Sequence, residues 1–165
     1  MQIRKMVLLT AMLNLGTAVA LTGSPAHSAS YTVAVGSGTV DGKPTKILVD
    51  AKGFALYSLS SDKATMSACT GGCAQAWPPL LSAGMPTAPS SLPGKLTVAH
   101  TGNGAQVAYN GHLLYRYAGD TKPGQVNGND QKGPAGGEWY VVTPVTKAST
   151  APAPAPANSG GYDYH

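Results

Sequence analysis

The two cysteines, Cys69 and Cys73, are the residues of this 165-residue chain whose type and spacing most directly suggest chemistry. Three residues separate them, a spacing that a single helical turn can bring to disulfide distance. An even number of cysteines in an exported chain indicates a disulfide, so we predict a structural Cys69–Cys73 bridge. Closing so short a loop restricts the unfolded chain enough to add roughly 2 kcal/mol of stability.

The same two thiols could instead bind copper or take part in thiol redox chemistry. Soft sulfur ligands suit Cu(I), and Met66 lies close to the pair in the sequence. His100 and His112 are candidates for a further ligand, although nothing in the sequence brings either histidine to the sulfurs. A thioredoxin-type site has two residues between its cysteines, and c-type haem attachment needs a histidine directly after the second one. We expect no cofactor, with copper as the alternative.

Motifs of known catalytic sites are missing from the sequence. It contains no nucleophile elbow, zinc-protease helix, phosphate-binding loop or dinucleotide fingerprint. Glu138 is the single glutamate, and nothing in the sequence raises the pKa of Asp62 or Asp120 for acid catalysis. The loop 120–130 is rich in oxygen-bearing side chains but does not have the spacing of a calcium loop. We therefore expect no enzymatic activity.

A segment of the sequence occurs twice. GFALYSLSSD, beginning at Gly53, aligns with GHLLYRYAGD, beginning at Gly111. Each copy continues through a polar loop to a tryptophan that we place in an aromatic core. A repeat of this kind is one supersecondary unit used twice, and two such units should pack against each other in one domain. The matched pairs are Gly53/Gly111, Leu56/Leu114, Tyr57/Tyr115, Asp62/Asp120 and Trp77/Trp139, while Leu59 stands opposite Tyr117.

The repeated tyrosine and aspartate have a structural interpretation. Residues two apart on a strand share a face, so Tyr115 and Tyr117 should both supply core area. An aspartate five residues after the tyrosine stands where the strand ends, and it can accept backbone N–H bonds that fix a turn. The alternative is that Asp62 and Asp120 form a symmetric pair of ligand or cation sites.

These residues resemble a known family. Two copies of Tyr-x-aromatic-x-x-Asp, with Cys-x-x-x-Cys and Trp-Pro-Pro in the first copy, are similar to the bacterial secreted repeat lipoproteins of unknown function, which are named for the Yx(FWY)xxD motif. The copy at 115–120 matches fully, whereas Leu59 replaces the aromatic residue in the first copy. The resemblance covers about residues 46–142 and implies export without implying an activity.

The elements that would position these residues are short strands. Alternation of apolar and polar residues predicts strands at 31–35, 46–49, 54–58, 96–100, 105–109, 112–117 and 138–142, with one or two helical turns at 68–77. Gly36–Gly38 should break the first strand, and 39–44 should form a turn. We predict a mainly β domain, built as a small antiparallel sheet from two hairpin repeats over 30–146.

Both ends of the chain carry other signals. Residues 1–29 read as a secretory signal peptide, with Arg4 and Lys5 before an apolar run. Ser24 stands where a lipoprotein signal has its cysteine, so we expect a periplasmic or secreted protein without a lipid anchor. Residues 147–165 are rich in alanine and proline and predict a disordered tail.

Charge narrows the range of partners. The formal net charge is +4, and removal of the signal peptide leaves +2. No lysine or arginine cluster suits a phosphate backbone, which argues against nucleic acid. We expect a monomer with no transmembrane anchor after processing. The predicted role is a non-enzymatic binding or structural module whose partner is an unknown envelope or extracellular component.

Overall fold

Short antiparallel strands dominate the computed structural model, which describes residues 31–145. The predicted mainly β fold with one short helix is confirmed over that range. The predicted signal peptide and tail lie outside the described residues, and the predicted domain limits stay predictions. The elements are β1 Val33–Val40, β2 Lys43–Asp50, β3 Tyr57–Leu59, α1 Gly72–Ala76, β4 Leu96–Thr101, β5 Gly104–Tyr109, β6 His112–Leu113, a 3₁₀ turn Pro134–Gly136 and β7 Trp139–Val141.

The first two strands are longer than the sequence predicts, and they form a hairpin with each other. Strands β1 and β2 pair in register from Val33–Asp50 to Val40–Lys43, so the predicted break at Gly36–Gly38 is wrong. Gly36 stays in the strand because it makes room for a neighbour: a Cβ there would lie 2.7 Å from a methyl group of Val49. Only Asp41 and Gly42, both with positive φ, make the turn.

The second repeat forms the predicted three-stranded meander. Strand β5 pairs with β4 on one side and with β6 on the other. Gly53 and Gly111 close equivalent turns with φ of 85° and 87°, in the left-handed region that favours glycine. Strand β6 is two residues long rather than the predicted six, because the backbone beyond Leu113 bonds to the other repeat as well as to its own.

Each repeat supplies a strand to the other one. Strand β3 of the first repeat pairs antiparallel with β7, which carries Trp139 of the second. In return, the segment after Trp77 runs along the second repeat, where Pro79 bridges to Tyr115 and the Arg116 amide donates to the Pro78 carbonyl. The β3–β7 sheet therefore takes one strand from each repeat.

Two closed rings of backbone hydrogen bonds record this exchange. In the first ring, Leu48 donates to Val142, Val142 to Leu56 and Leu56 to Leu48, at 2.7 to 2.9 Å. The second ring has the same pattern in the other repeat. Each ring combines two segments of one repeat with one segment of the other. The members of the second ring are Leu80, Leu114 and Val107, again at 2.8 to 2.9 Å.

The buried side chains form two clusters. The aliphatic cluster surrounds the two rings and includes Leu48, Leu56, Leu80, Val107 and Leu114. The other cluster is aromatic and contains the motif tyrosines, both tryptophans and Cys69. Because both clusters draw on both repeats, the core forms only when the two repeats meet.

The helix is shorter than predicted and begins after the first cysteine. It covers Gly72–Ala76 rather than 68–77, so Cys73 lies in it and Cys69 precedes it. Trp77 leaves the helix with φ −123° and ψ 74°, because the following proline disfavours helical backbone at the residue before it. This exit turns the Trp77 segment towards the second repeat.

Candidate functional site

The motif tyrosines and aspartates bond across the two repeats. The Tyr57 hydroxyl donates to Asp120 Oδ2 at 2.6 Å, and the Tyr115 hydroxyl donates to Asp62 Oδ2 at 2.7 Å. The backbones of the two tyrosines are joined as well, since each amide donates to the carbonyl of the other at 2.9 Å. The two copies of the motif therefore lock onto each other reciprocally.

The second carboxylate oxygen of each aspartate fixes the loop that follows it. Asp62 Oδ1 accepts the amide of Ala68 at 2.7 Å, and Asp120 Oδ1 accepts the amide of Asn127 at 2.9 Å. The expected acceptance of backbone N–H groups is present, although the donors lie six and seven residues further along the chain. The tyrosine bond, made across the repeats, is a partner that the sequence did not suggest.

These groups are removed from solvent. Tyr57 and Tyr115 are fully buried and Asp120 is 6% exposed. Burial raises the pKa of both tyrosine hydroxyls above its usual range, and the bond to the partner carboxylate raises it further. Burial also raises the pKa of Asp62, while the hydrogen bonds from Tyr115 and Ala68 oppose that rise. The two tyrosines and Asp120 are thus an enclosed, mutually bonded set that holds the fold, whereas Asp62 is half-buried.

The aromatic core has its two tryptophans in a parallel stack. Trp77 and Trp139 lie 3.8 Å apart between centroids, with an interplanar angle of 4°. Tyr57 meets Trp77 edge-on and Tyr115 meets Trp139 edge-on, so each tyrosine packs against the tryptophan of its own repeat, and the stack of the two tryptophans joins the repeats. Tyr117 adds a ring stacked on Trp77 at 4.3 Å. Its counterpart Leu59 is an aliphatic residue buried in the same cluster.

Cys69 and Cys73 are joined by a disulfide with a Cα–Cα distance of 5.2 Å. Cys69 is fully buried in the aromatic cluster. Its backbone lies in a network around Ser67, whose Oγ accepts from the Cys69 amide and from Asn103 Nδ2, both at 3.1 Å, and lies 2.8 Å from the Tyr115 hydroxyl oxygen. The disulfide therefore supports the loop that carries the hydrogen-bond partners of Tyr115.

The candidate copper ligands other than the cysteines lie on three different elements of the structure. Met66 is 65% exposed in a loop, His100 is exposed on β4, and His112 begins β6. Within residues 31–145, no three histidine, cysteine, aspartate or glutamate side chains group closely enough to hold a metal ion. The copper and thiol redox alternative stays a prediction, and it requires the disulfide to be reduced first.

A cleft of about 570 Å³ lies beside the segment that follows Trp77. We call it the Arg116 cleft. Arg116 and Lys52 bring positive charge to it and Asp50 brings negative charge. Its further wall includes Pro79, Leu80 and Leu81.

A second cleft, of about 350 Å³, is lined by residues at the corresponding positions of the other repeat. We call it the Ser58 cleft; its lining includes Ser58, Asp62, Tyr109, His112, Tyr140 and Val141. Ser58 stands at the repeat position of Arg116, one residue after the motif tyrosine. Tyr109 ends β5 as Asp50 ends β2. The two clefts are thus one duplicated feature with different side chains.

The sequence reasoning missed Arg116 and Asp50. The alternation of residues in Tyr115-Arg116-Tyr117 places Arg116 on the strand face opposite the two tyrosines, so the sequence pattern could have identified Arg116 as an outward-facing residue. The contribution of Asp50 was not, because Asp50 reaches the cleft only when its hairpin packs beside residue 116. Its Oδ1 accepts the amides of Lys52 and Phe54 at 2.8 and 3.0 Å, which orients the carboxylate.

Comparison with known proteins supports a duplicated, secreted chain. The model of a family described as a secreted repeat of unknown function matches residues 38–81 and 97–143. The two matches correspond to the two repeats that exchange strands, and together they span more than half of the chain. Neither a curated protein nor a solved structure matches it. Within residues 31–145, none of the helices has the length and apolar character needed to cross a membrane.

Proposed function

This chain belongs to the family of secreted repeats of unknown function, and we propose that it is an exported, non-enzymatic module that binds another component of the envelope or its surroundings. The repeats form its rigid frame, and the two clefts are its binding surfaces. The observation that carries the proposal is the reciprocal pairing of Tyr57 with Asp120 and of Tyr115 with Asp62.

That pairing separates the frame from the surface. The motif residues bond to each other across the repeats, and all of them except the half-buried Asp62 are buried, so their role is to hold the two repeats together. The residues between them on each strand, Ser58 and Arg116, point the other way and line the clefts. Recognition by surface side chains on a rigid frame is a common division of labour in binding proteins.

Export supports the same proposal. The apolar run after Arg4 and Lys5 is suited to a signal peptide, and a disulfide is typical of an oxidising compartment. We infer a periplasmic or secreted protein, monomeric and free of lipid because Ser24 cannot form the thioether to lipid. The intact mass of the exported protein tests this, and a mass increase equal to a diacylglycerol adduct would contradict it.

Site-specific photocrosslinking in living cells tests the binding role. A photoreactive amino acid would replace Leu81 in the Arg116 cleft or Tyr140 in the Ser58 cleft; these residues are 51% and 40% exposed. We expect a discrete crosslinked adduct from at least one cleft position. Val35 on β1 is 40% exposed and outside both clefts, so it provides the matched control.

The outcomes separate binding from random collision. Adducts from a cleft position but not from Val35 support the proposal. Equal yields of the same adducts from all three positions, or no adduct from any of them, contradict it. Adducts from Val35 alone would move the binding surface to the hairpin edge and would also overturn the assignment to the clefts.

A further inference from the structure

The guanidinium of Arg116 has donors that the described chain does not use. Arg116 Nε is buried and has no hydrogen-bond partner within residues 31–145. Asp50 Oδ2 lies 3.7 Å from Nη1, close enough for attraction but too far for a hydrogen bond. The side chain remains 40% exposed and lines the cleft. The group is therefore oriented by Asp50 without being saturated by it.

The cleft around Arg116 has a net positive charge. Asp50 is its one acidic lining residue, while Lys52 and Arg116 are both basic. The Ser58 cleft has the opposite balance, because Asp62 is its only acidic residue and no lysine or arginine lines it. An anionic ligand would thus be attracted to one cleft and not to its counterpart.

The geometry points to a ligand that carries a carboxylate next to an apolar group. A planar guanidinium suits a carboxylate because it can offer two parallel N–H donors. Pro79, Leu80 and Leu81 form an apolar wall of the same cleft, and Leu81 is 51% exposed there. A cleft of about 570 Å³ has the size of a small-molecule site. This inference rests on the proposed binding function and names the ligand chemistry of one of its two clefts.

Titration of the folded chain with two carboxylates tests the assignment. One probe is N-acetyl-L-leucine, which has an apolar flank, and the other is D-glucuronate, which has a polar flank. Each is compared with its neutral amide by two-dimensional NMR. We expect N-acetyl-L-leucine to shift the amide signals of Lys52, Leu81 and Ser82. The signals of Ser58 and Tyr140 should stay in place, and the neutral amides should bind more weakly.

Variants of the cleft sharpen the test. Arg116→Gln should weaken N-acetyl-L-leucine binding about tenfold or more, because a charge-assisted pair is lost. Lys43→Gln removes an exposed positive charge on β2 outside the cleft and should leave binding unchanged. If Arg116→Gln does not fold, Leu81→Glu serves in its place. Both probes lose the apolar contact with Leu81, but only the anionic one is repelled by the added carboxylate, so binding of N-acetyl-L-leucine should fall by a larger factor than binding of its neutral amide.

Each result has a defined meaning. Binding of glucuronate alone would support recognition of a carboxylate but would contradict the requirement for an apolar group beside it, and so would overturn the inference as stated. Equal binding of acids and amides, equal loss in Lys43→Gln, or no binding at all would overturn the inference. Failure here together with crosslinking from Leu81 would leave the proposed function standing. Absence of crosslinks despite carboxylate binding would instead contradict the proposed macromolecular partner.

Discussion

The two repeats are alike in the interior and different at the surface. Both use a tyrosine, an aspartate and a tryptophan in the same reciprocal contacts, and both close a ring of three backbone hydrogen bonds. Only the first repeat has a disulfide. On the outer strand face, the first repeat has Ser58 where the second has Arg116.

This difference between interior and surface identifies the positions that are constrained by packing. Each motif residue contacts the opposite repeat, so a change in one copy disturbs both. The outer-face residues are not locked in this way, since Arg116 approaches Asp50 of the other repeat at 3.7 Å without a hydrogen bond. The same backbone therefore presents a neutral side chain in one cleft and a positive one in the other. Duplication has produced one frame with two chemically distinct surfaces.

Separating the repeats should have the largest effect. We expect fragments 31–90 and 91–145, expressed apart, to be unfolded, because each lacks one strand of the β3–β7 sheet and the tryptophan that the other repeat contributes to the core. Mixed together, they should associate and recover the spectrum of the intact chain. Amide NMR dispersion measures both results. A dispersed spectrum from either fragment alone would show that the exchange is not required for folding.

Removal of one cross-repeat bond should cost less. In Tyr57→Phe, Asp120 loses the hydroxyl that donates to its Oδ2. Because Asp120 is only 6% exposed, water cannot replace that donor, and we expect the free energy of unfolding to fall by about 2 to 3 kcal/mol. Tyr115→Phe should cost less, because Asp62 is only half-buried. Urea unfolding measures the difference, with Tyr140→Phe as the exposed control. A larger loss for Tyr115→Phe would show that burial of the aspartate does not determine how much each tyrosine–aspartate hydrogen bond contributes to stability.

The disulfide tests the asymmetry between the repeats. Cys69→Ala with Cys73→Ala should lower the unfolding free energy by about 2 kcal/mol, the value for a very short loop. The fold should persist, because the second repeat is built without a disulfide. Urea unfolding gives the loss, and thiol counting on the native protein should find no free thiol. Free thiols together with tight Cu(I) binding would favour the copper alternative instead.

High pH should weaken both repeats together. The pKa values of Tyr57 and Tyr115 are raised by burial, so both stay protonated in the folded chain above pH 10.0, where the unfolded chain ionises. Their stabilising contribution is complete below that pH and is lost as pH rises towards the folded pKa. The loss is about 1.4 kcal/mol per pH unit for each tyrosine.

The control for that slope is a variant without the two hydroxyls. Urea unfolding between about pH 9 and 11 should show the decline in the native sequence. The double variant Tyr57→Phe/Tyr115→Phe, if it folds, should not show this decline in unfolding free energy, whereas Tyr140→Phe should show it as the native sequence does. A native unfolding free energy that does not change over this range would contradict the burial of these hydroxyls.

The smallest effect is expected at the position where the motif copies differ. Tyr117→Leu makes the second copy resemble the first and removes the stack on Trp77, for a loss of about 1 kcal/mol. Leu59→Tyr should cost more, because the side chain is 2% exposed and a Cβ on Gly133 would lie 2.5 Å from it. Thermal unfolding ranks the two variants. Stabilisation by Leu59→Tyr would show that the first repeat has unused space.

The sequence by itself determined the duplication, the β class, the short helical region and the pairing of the two cysteines. Those features follow from local periodicity, turn residues and spacing, which are properties of neighbouring positions. Several local expectations differ from the structure: the break at Gly36–Gly38, the long turn at 39–44, the strand over 112–117 and a helical region that includes Cys69. The glycines stay in the strand because a side chain across the hairpin occupies the space beside Gly36.

Only the tertiary structure decided how the copies meet. Nothing local in the sequence says that Tyr57 should bond to Asp120 rather than to Asp62 of its own repeat. Likewise, Arg116 and Asp50 are 66 positions apart in the sequence, and they share a cleft only because the two repeats pack together. Contacts between distant positions depend on how whole hairpins pack, and a local pattern does not contain that information.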